Sequence, residues 1–268
     1  MAADWYAFRE FDAQVVRDAR AWYARFLPSA GRILDVGCGR GEFLDVAADA
    51  GLETHGVDLD AAMLAHAGAH QIVEAEALDY LQSTPETFDV VSALHVIEHL
   101  PVDQGAALVR LGGGRLVPGG ALIVATPNPG SLPTIAHEFW KDPTHARPYD
   151  VELLEFLCRD AGLDVQASGV NPTSARGLPV TLDDLDITDD PSPKGRAPPD
   201  EDRVTRWMGG RVARTRYAAD LEAALHQVSA QLRHTRDELT QLAAIVRRVL
   251  EVAYEPSEVF VVARRPAE

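Results

Sequence analysis

Apolar residues recur at spacings of three and four through Phe8, Phe11, Val15, Val16, Ala19, Trp22, Tyr23 and Phe26, until Pro28 stops the run. Such spacing lays them on one helix face, so residues 1–30 are expected to form a helical cap. The periodicity then shortens. Ile33-Leu34-Asp35-Val36 is an apolar run of strand length that ends in Gly37-Cys38-Gly39-Arg40-Gly41, after which Phe43, Leu44, Val46 and Ala47 fit a helix closed by Gly51. Strands are predicted again at 54–58, 71–74, 88–94, 121–126 and 163–170, the fifth introduced by the turn Pro118-Gly119-Gly120. Helical patterns at 61–69, 105–116 and 151–161 separate them, the last closed by Gly162. Strands that alternate with helices imply a parallel sheet covered on both faces.

The alternation breaks after residue 170. Residues 171–202 hold Pro172, Pro179, Pro191, Pro193, Pro198 and Pro199 among many Asp, which predicts a mobile loop. From 217 to 253, Leu221, Leu225, Val228, Leu232, Leu239, Leu242, Val246 and Val249 follow a heptad alternation broken at Thr235. This seam in a helical insertion over 203–256 suits a homodimer interface, an arm over the site, or packing on its own domain. Glu258-Val259-Phe260-Val261-Val262-Ala263-Arg264 is strand-like and completes a seven-stranded sheet, with 31–170 as the core and 257–268 as its last strand.

The 268 residues are 46% hydrophobic and 25% charged, as in an ordinary globule. No apolar run approaches the roughly 18 residues of a spanning helix, and no basic stretch precedes an apolar run at the start, so a cytoplasmic location away from membranes is expected. The two cysteines, Cys38 and Cys158, suggest reduced thiols rather than a disulfide framework. A net charge of -16 disfavours nucleic acid as a partner, and the arginines at 203, 206, 211, 214 and 216 read as a solvated face.

Glycines at 37, 39 and 41, after a strand and ahead of a helix, let a ligand approach main-chain N–H groups. Asp58, at the end of the second strand, can accept hydrogen bonds from two ribose hydroxyls. A nicotinamide-dinucleotide fingerprint spaces its glycines as G-x-G-x-x-G, which Gly37-x-Gly39-x-Gly41 does not match. The string Leu34-Asp35-Val36-Gly37-Cys38-Gly39-Arg40-Gly41-Glu42-Phe43 resembles motif I of class I S-adenosylmethionine-dependent methyltransferases. The resemblance implies an α/β, Rossmann-like, mostly parallel seven-stranded sheet, interrupted before its last strand by the helical insertion. It assigns the cofactor to Asp35, Gly37, Cys38, Gly39, Gly41, Asp58 and Leu59, to the adenine-loop residues Ala77, Leu78 and Asp79, and to Leu94 and His95 beside the methionine part. The alternative reading of Asp79 is a helix N-cap.

Trp5-Tyr6-Ala7-Phe8-Arg9 and Phe139-Trp140-Lys141-Asp142-Pro143-Thr144-His145-Ala146-Arg147-Pro148-Tyr149 are similar to bacterial O-methyltransferases of polysaccharide pathways. That similarity implies a sugar hydroxyl as acceptor, on a mannoside or methylated mannoside, held by Tyr6, Arg9, Asp142, Arg147 and Tyr149. For Arg147 and Tyr149 a surface ion pair and a core ring are equal readings. Gly112-Gly113-Gly114 departs from that family, which places helix formers there. The alternatives are a small-molecule or quinone O-methyltransferase, which wants an apolar, aromatic-lined acceptor pocket, and a non-catalytic S-adenosylmethionine-binding protein.

His95-Val96-Ile97-Glu98-His99, with His145 further on, resembles the E-x-x-E-H plus His set with which small-RNA and ubiquinone methyltransferases bind a divalent metal, His95 standing where those have Glu. The implied ligands are His95, Glu98, His99 and His145, and the ion magnesium, manganese or zinc, which lowers the pKa of an acceptor hydroxyl. If a helix begins there, His95 and His99 share a face. Without metal, His145 or His99 serves as general base.

Overall fold

The computed structural model describes residues 13–174 and 216–267. Tyr6 and Arg9, and the body of the 171–202 loop, lie outside the described residues. Helix α1 (Ala13–Ala21) runs into a 3-10 turn (Trp22–Phe26). The elements then follow as β1 (Gly31–Val36), α2 (Glu42–Asp49), β2 (Leu52–Asp58), α3 (Ala61–Leu64), β3 (Gln71–Glu74), α4 (Ala77–Ser83) and β4 (Phe88–Leu94). After a 3-10 turn (Ile97–His99) come α5 (Val102–Gly114), β5 (Leu116–Pro127), α6 (Val151–Asp160), β6 (Asp164–Val170), α7 (Arg216–Ala253) and β7 (Glu258–Arg264).

The strands form one sheet in the order β3-β2-β1-β4-β5-β7-β6, parallel except for β7, which is antiparallel to both neighbours. The central strands are apolar on both faces because both are covered. Leu34, Val36, Val91, Ala93 and Val124 face a core closed by Leu81 of α4, Leu108 of α5 and Leu154 of α6. Their neighbours Ile33, Val90, Ile123 and Ala125 face the other, closed by Phe43 and Leu44 of α2 and by Tyr23. The period of two along each strand therefore fills two layers.

Some boundaries differ from expectation for local reasons. The helix expected over 61–69 is only α3, capped by Asp60, because His66 and Ala67 donate three residues back and Gly68, at φ 71°, turns the chain toward β3. α5 starts just after Pro101 and carries Gly112 and Gly113 into its last turn, where a Cβ would stand 3.3 Å from Leu122 and 3.0 Å from Leu163. Glycine there lets helix, sheet and the start of β6 approach closely. β5 takes in Pro118-Gly119-Gly120 instead of following it, with a register shift against β4 between Phe88 and Val90.

The chain divides into two compact units, residues 1–177 with 252–268, which hold the sheet, and residues 178–251. Within α7, Val228, Leu232, Leu239, Leu242, Val246 and Val249 of the heptad seam are exposed. Among the described residues no helix is long and apolar enough to cross a membrane.

Two glycines of α5 have opposite sensitivities. A Cβ at Gly105 would lie 2.3 Å from the hydroxyl of the buried Tyr149, whereas one at Gly114 meets nothing within 4 Å. Gly105→Ala should therefore lose about 1–3 kcal/mol to overpacking. Gly114→Ala should lose nothing and gain up to about 1 kcal/mol of helix propensity. Urea unfolding of both variants checks the contrast.

Candidate functional site

Gly37 and Gly39 take φ values of 69° and 53°, which a side chain rarely adopts, and the turn is pinned to β2 by Gly37 and Cys38 N–H groups donating to the Val57 carbonyl at 2.8 and 3.1 Å. A Cβ on Gly39 would meet only the Met63 methyl, 3.9 Å away, so the loop leaves a cradle in front of it. Asp58 is fixed by the N–H of Gly39 on one carboxylate oxygen and the N–H of Asp60 on the other, both at 2.9 Å. Each oxygen keeps acceptor capacity for a hydroxyl. These residues border a cavity of about 860 Å³ along the carboxyl edge of the sheet, where ligands bind in such folds. Leu59, Met63 and Ala77 supply an apolar wall, and the cradle, diol acceptor and wall fit a nucleoside cofactor such as S-adenosylmethionine.

Of the expected cofactor residues, Asp35, Gly37, Cys38, Gly39, Asp58, Leu59, Ala77, Leu94 and His95 line this cavity. Gly41 instead opens α2 at φ 85°. Leu78 packs on the core, and neither it nor Asp79 lines the cavity. Asp79 is not the N-cap either: Glu76 caps α4, accepting from the N–H groups of Leu78 and Asp79, and it is Glu76 that reaches the rim. Cys38 is buried, and burial beside Asp35 and Asp58 pushes its thiol far up, so it stays protonated. Asp35 is buried too; desolvation lifts its carboxyl to about 7, against the hydrogen bond from Ser92 Oγ at 2.7 Å.

His95 corrects the expectation of a helical face. Its φ of 61° is left-handed, the segment behind it makes a single 3-10 turn, and its ring turns toward β7. There Nε2 pairs with Glu258, while Nδ1 lies 3.2 Å from Glu98 Oε1. Burial and the Arg20 charge oppose a proton on the ring, but Glu258 and Glu98 outweigh them and lift His95 to about 9. Both ring nitrogens are thus engaged by carboxylates, and His95 is not among the residues whose ligating atoms converge. Burial likewise opposes ionisation of Glu258, yet His95 and Arg20 hold it down to about 2. Sequence reasoning missed Glu258, Arg20 and Tyr23; the one signal was a glutamate opening a strand whose next five residues are apolar.

Glu98, His99 and His145 converge at the other end of the cavity, their ligating atoms within 4.8 Å of one another. The Glu98 carbonyl accepts from the N–H groups of Ala146 at 2.8 Å and Arg147 at 3.2 Å, which draws the His145 segment over the sheet edge. Thr144 Oγ1 donates to Asp142 at 2.5 Å, so at its 2.8 Å contact with His99 Nδ1 it must accept. His145 Nδ1 donates to the Phe139 carbonyl at 2.6 Å. Both rings are thereby set in the tautomer that places the lone pair on Nε2. Burial holds His145 below the ordinary histidine value, so its ring is neutral at pH 7. Glu98 is fully buried; burial opposes its ionisation, but His95 and His99 hold it down as a carboxylate. Oε2 accepts from Thr126 at 3.0 Å, whereas Oε1, despite the nearby His95, has no aligned hydrogen bond.

Of the expected acceptor residues, Asp142 lines the cavity and orients Thr144. Arg147 and Tyr149 do not line it. Tyr149 is a core ring whose hydroxyl donates to the Leu100 carbonyl at 3.2 Å, and the Arg147 guanidinium lies 4.9 Å over that ring. The cavity has apolar lining at Val96, Leu100, Pro127 and Phe139, and of these the Phe139 ring lies 4.5 Å from that of His145.

A glycine cradle, a diol-binding aspartate and an acceptor cluster on one cavity are the parts of a group-transfer enzyme, and the chain belongs to the methyltransferase domain family, which it matches over residues 8–168. Its relatives include the ubiquinone biosynthesis O-methyltransferases of Pseudomonas paraeruginosa (33% identity over 158 residues, 50% of this chain and 65% of the relative) and of Stutzerimonas stutzeri (30% over 170 residues, 54% and 70%). The chain thus spans about two thirds of the length of these curated relatives. In three dimensions it is similar to a SAM-dependent methyltransferase from Archaeoglobus fulgidus, with a TM-score of 0.64, 22% identity, and 97% of this chain and 98% of that one covered. Haemonchus contortus phosphoethanolamine N-methyltransferase 2, solved with S-adenosyl-L-methionine, gives a TM-score of 0.53 at 19% identity over 93% of this chain and 52% of that one. The fold is therefore that of the S-adenosylmethionine-dependent methyltransferases. The relatives' names overturn the reading of the chain as a sugar-hydroxyl methyltransferase.

The raised carboxyl of Asp35 makes stability depend on pH. Its folded value near 7 exceeds the roughly 3.9 of an unfolded aspartate, so its contribution is complete below the unfolded value and is lost as pH rises through 7. The melting temperature of the ligand-free chain should fall more between about pH 5.5 and about pH 8 than that of Asp35→Asn. Parallel curves would contradict the assignment.

Proposed function

We propose that the chain is a small-molecule O-methyltransferase acting on a hydroxyl of an aromatic, quinone-type acceptor. The observation that carries this reading is the Glu98, His99 and His145 cluster, with the Phe139 ring against His145, on the same cavity as the glycine cradle. The names of the curated relatives support the acceptor class. Asp58 would hold the ribose, Leu59 and Ala77 the adenine, and the Gly37 to Gly39 backbone with Asp35 the methionine part of S-adenosylmethionine, which when bound supplies an electrophilic sulfonium methyl. Phe139, buried against the His145 ring, holds that ring in place at the cavity. Without a cation, the neutral His145 ring, its Nδ1 committed to the Phe139 carbonyl, offers Nε2 to the hydroxyl proton.

A divalent cation fits the same cluster. Glu98 Oε1 is buried without a hydrogen bond, and both imidazoles present Nε2 as acceptor. One carboxylate and two imidazoles suit manganese or zinc more than magnesium, and such an ion would acidify an acceptor hydroxyl. His95 is not in this set.

Calorimetric titration with S-adenosylhomocysteine should show binding that Asp58→Ala weakens at least tenfold, about 1.4 kcal/mol. No binding, or unchanged affinity in the variant, would overturn the cofactor assignment. With a catechol acceptor and labelled methyl donor, EDTA should abolish turnover and manganese or zinc restore it. His145→Ala should abolish turnover while leaving S-adenosylhomocysteine affinity within about threefold, roughly 0.7 kcal/mol. Full activity in chelator with His145→Ala inactive would leave the imidazole as general base and remove the metal.

A further inference from the structure

Glu258 opens β7 and is followed by five apolar residues, yet it is buried and its carboxylate takes four donors from three separate parts of the chain. These are Arg20 Nη1 at 3.2 Å, the Tyr23 hydroxyl at 2.5 Å, Asn171 Nδ2 at 2.8 Å and His95 Nε2. About four hydrogen bonds are what a carboxylate can accept, so its capacity is filled. Burying such a group seldom adds stability over a well-packed apolar side chain, which points to what it holds in place.

What it holds is a strained residue. His95 is the one described non-glycine residue at positive φ, a conformation that costs free energy and persists only where the surroundings enforce it. Its N–H donates to the Ala125 carbonyl at 2.8 Å and its ring is drawn to Glu258. The chain leaving this turn forms at once the single 3-10 turn Ile97–His99, which carries Glu98 and His99 into the cavity. A change of direction at residue 95 would move both.

We infer that Glu258 is a positioning residue: by tethering His95 Nε2 it enforces the left-handed turn at the end of β4, and so sets how Glu98 and His99 meet His145. The inference rests on reading those three residues as the acceptor-activating cluster. A rival role is to anchor Arg20 and Tyr23 of the N-terminal helical segment without influence on the cluster. The two separate through residue 95, because glycine adopts the same φ with no tether while alanine resists it.

The test uses manganese alone as the probe, by calorimetry, with amide NMR shifts of Ile97, Glu98 and His99 as a second readout on the full chain. Glu258→Gln should weaken manganese binding at least tenfold and shift those amides, with S-adenosylhomocysteine affinity within threefold. In a His95→Gly background the same substitution should change manganese affinity by less than twofold and leave the amides in place. His95→Ala should bind manganese at least tenfold more weakly than His95→Gly, a comparison that survives if Glu258→Gln fails to fold. Unchanged affinity and amides in Glu258→Gln, an equal effect of it in the His95→Gly background, or identical behaviour of the two residue-95 variants would each overturn the inference. If the unsubstituted chain binds no manganese, the metal reading alone falls, and the amide shifts decide the positioning role by the same comparisons.

Discussion

The imidazolium of His95 lies between two buried carboxylates, Glu98 and Glu258, and the arrangement around the acceptor depends on that contact. A lone carboxylate in so dry a place would protonate or stay out. With Arg20 also on Glu258, two negative and two positive charges cancel within one cluster, and both carboxylates remain ionised. Glu98 can then keep one oxygen on Thr126 and leave the other without an aligned donor.

Sheet topology makes this meeting possible. In a parallel sheet every strand ends at the same edge, which puts the Gly37 turn, Asp58 and His95 on one cavity. β7 runs the other way between β5 and β6, so its first residue lies at that edge: Glu258 pairs with Pro127, the last residue of β5. Were β7 parallel, its far end would meet the cavity and Glu258 would face the opposite edge.

The acceptor wall follows a similar logic of held geometry. Asp142 fixes Thr144, Thr144 fixes His99, and the Phe139 carbonyl fixes His145, so the acceptors that set each ring's tautomer come from the short segment between β5 and α6. Within it Tyr149 points inward under α5 and Arg147 covers its ring, so two residues with the chemistry of sugar recognition serve packing instead.

Much of this was legible along the chain, because strand and helix periods, the Gly37-x-Gly39-x-Gly41 turn and Asp58 are local patterns whose geometry follows from nearest neighbours. The seven strands were read this way, whereas the expected ligand set of His95, Glu98, His99 and His145 came from resemblance, and of it the last three converge. His95 was misread because spacing assigns a residue to a face only if the backbone is helical, and a left-handed turn removes that premise. Its partner lies 163 positions away on an antiparallel strand, and no local pattern records that distance. Tertiary structure alone decided which polar residues of the 139–149 segment face the cavity and which are buried, since burial depends on what packs above a side chain and not on the residues beside it in sequence.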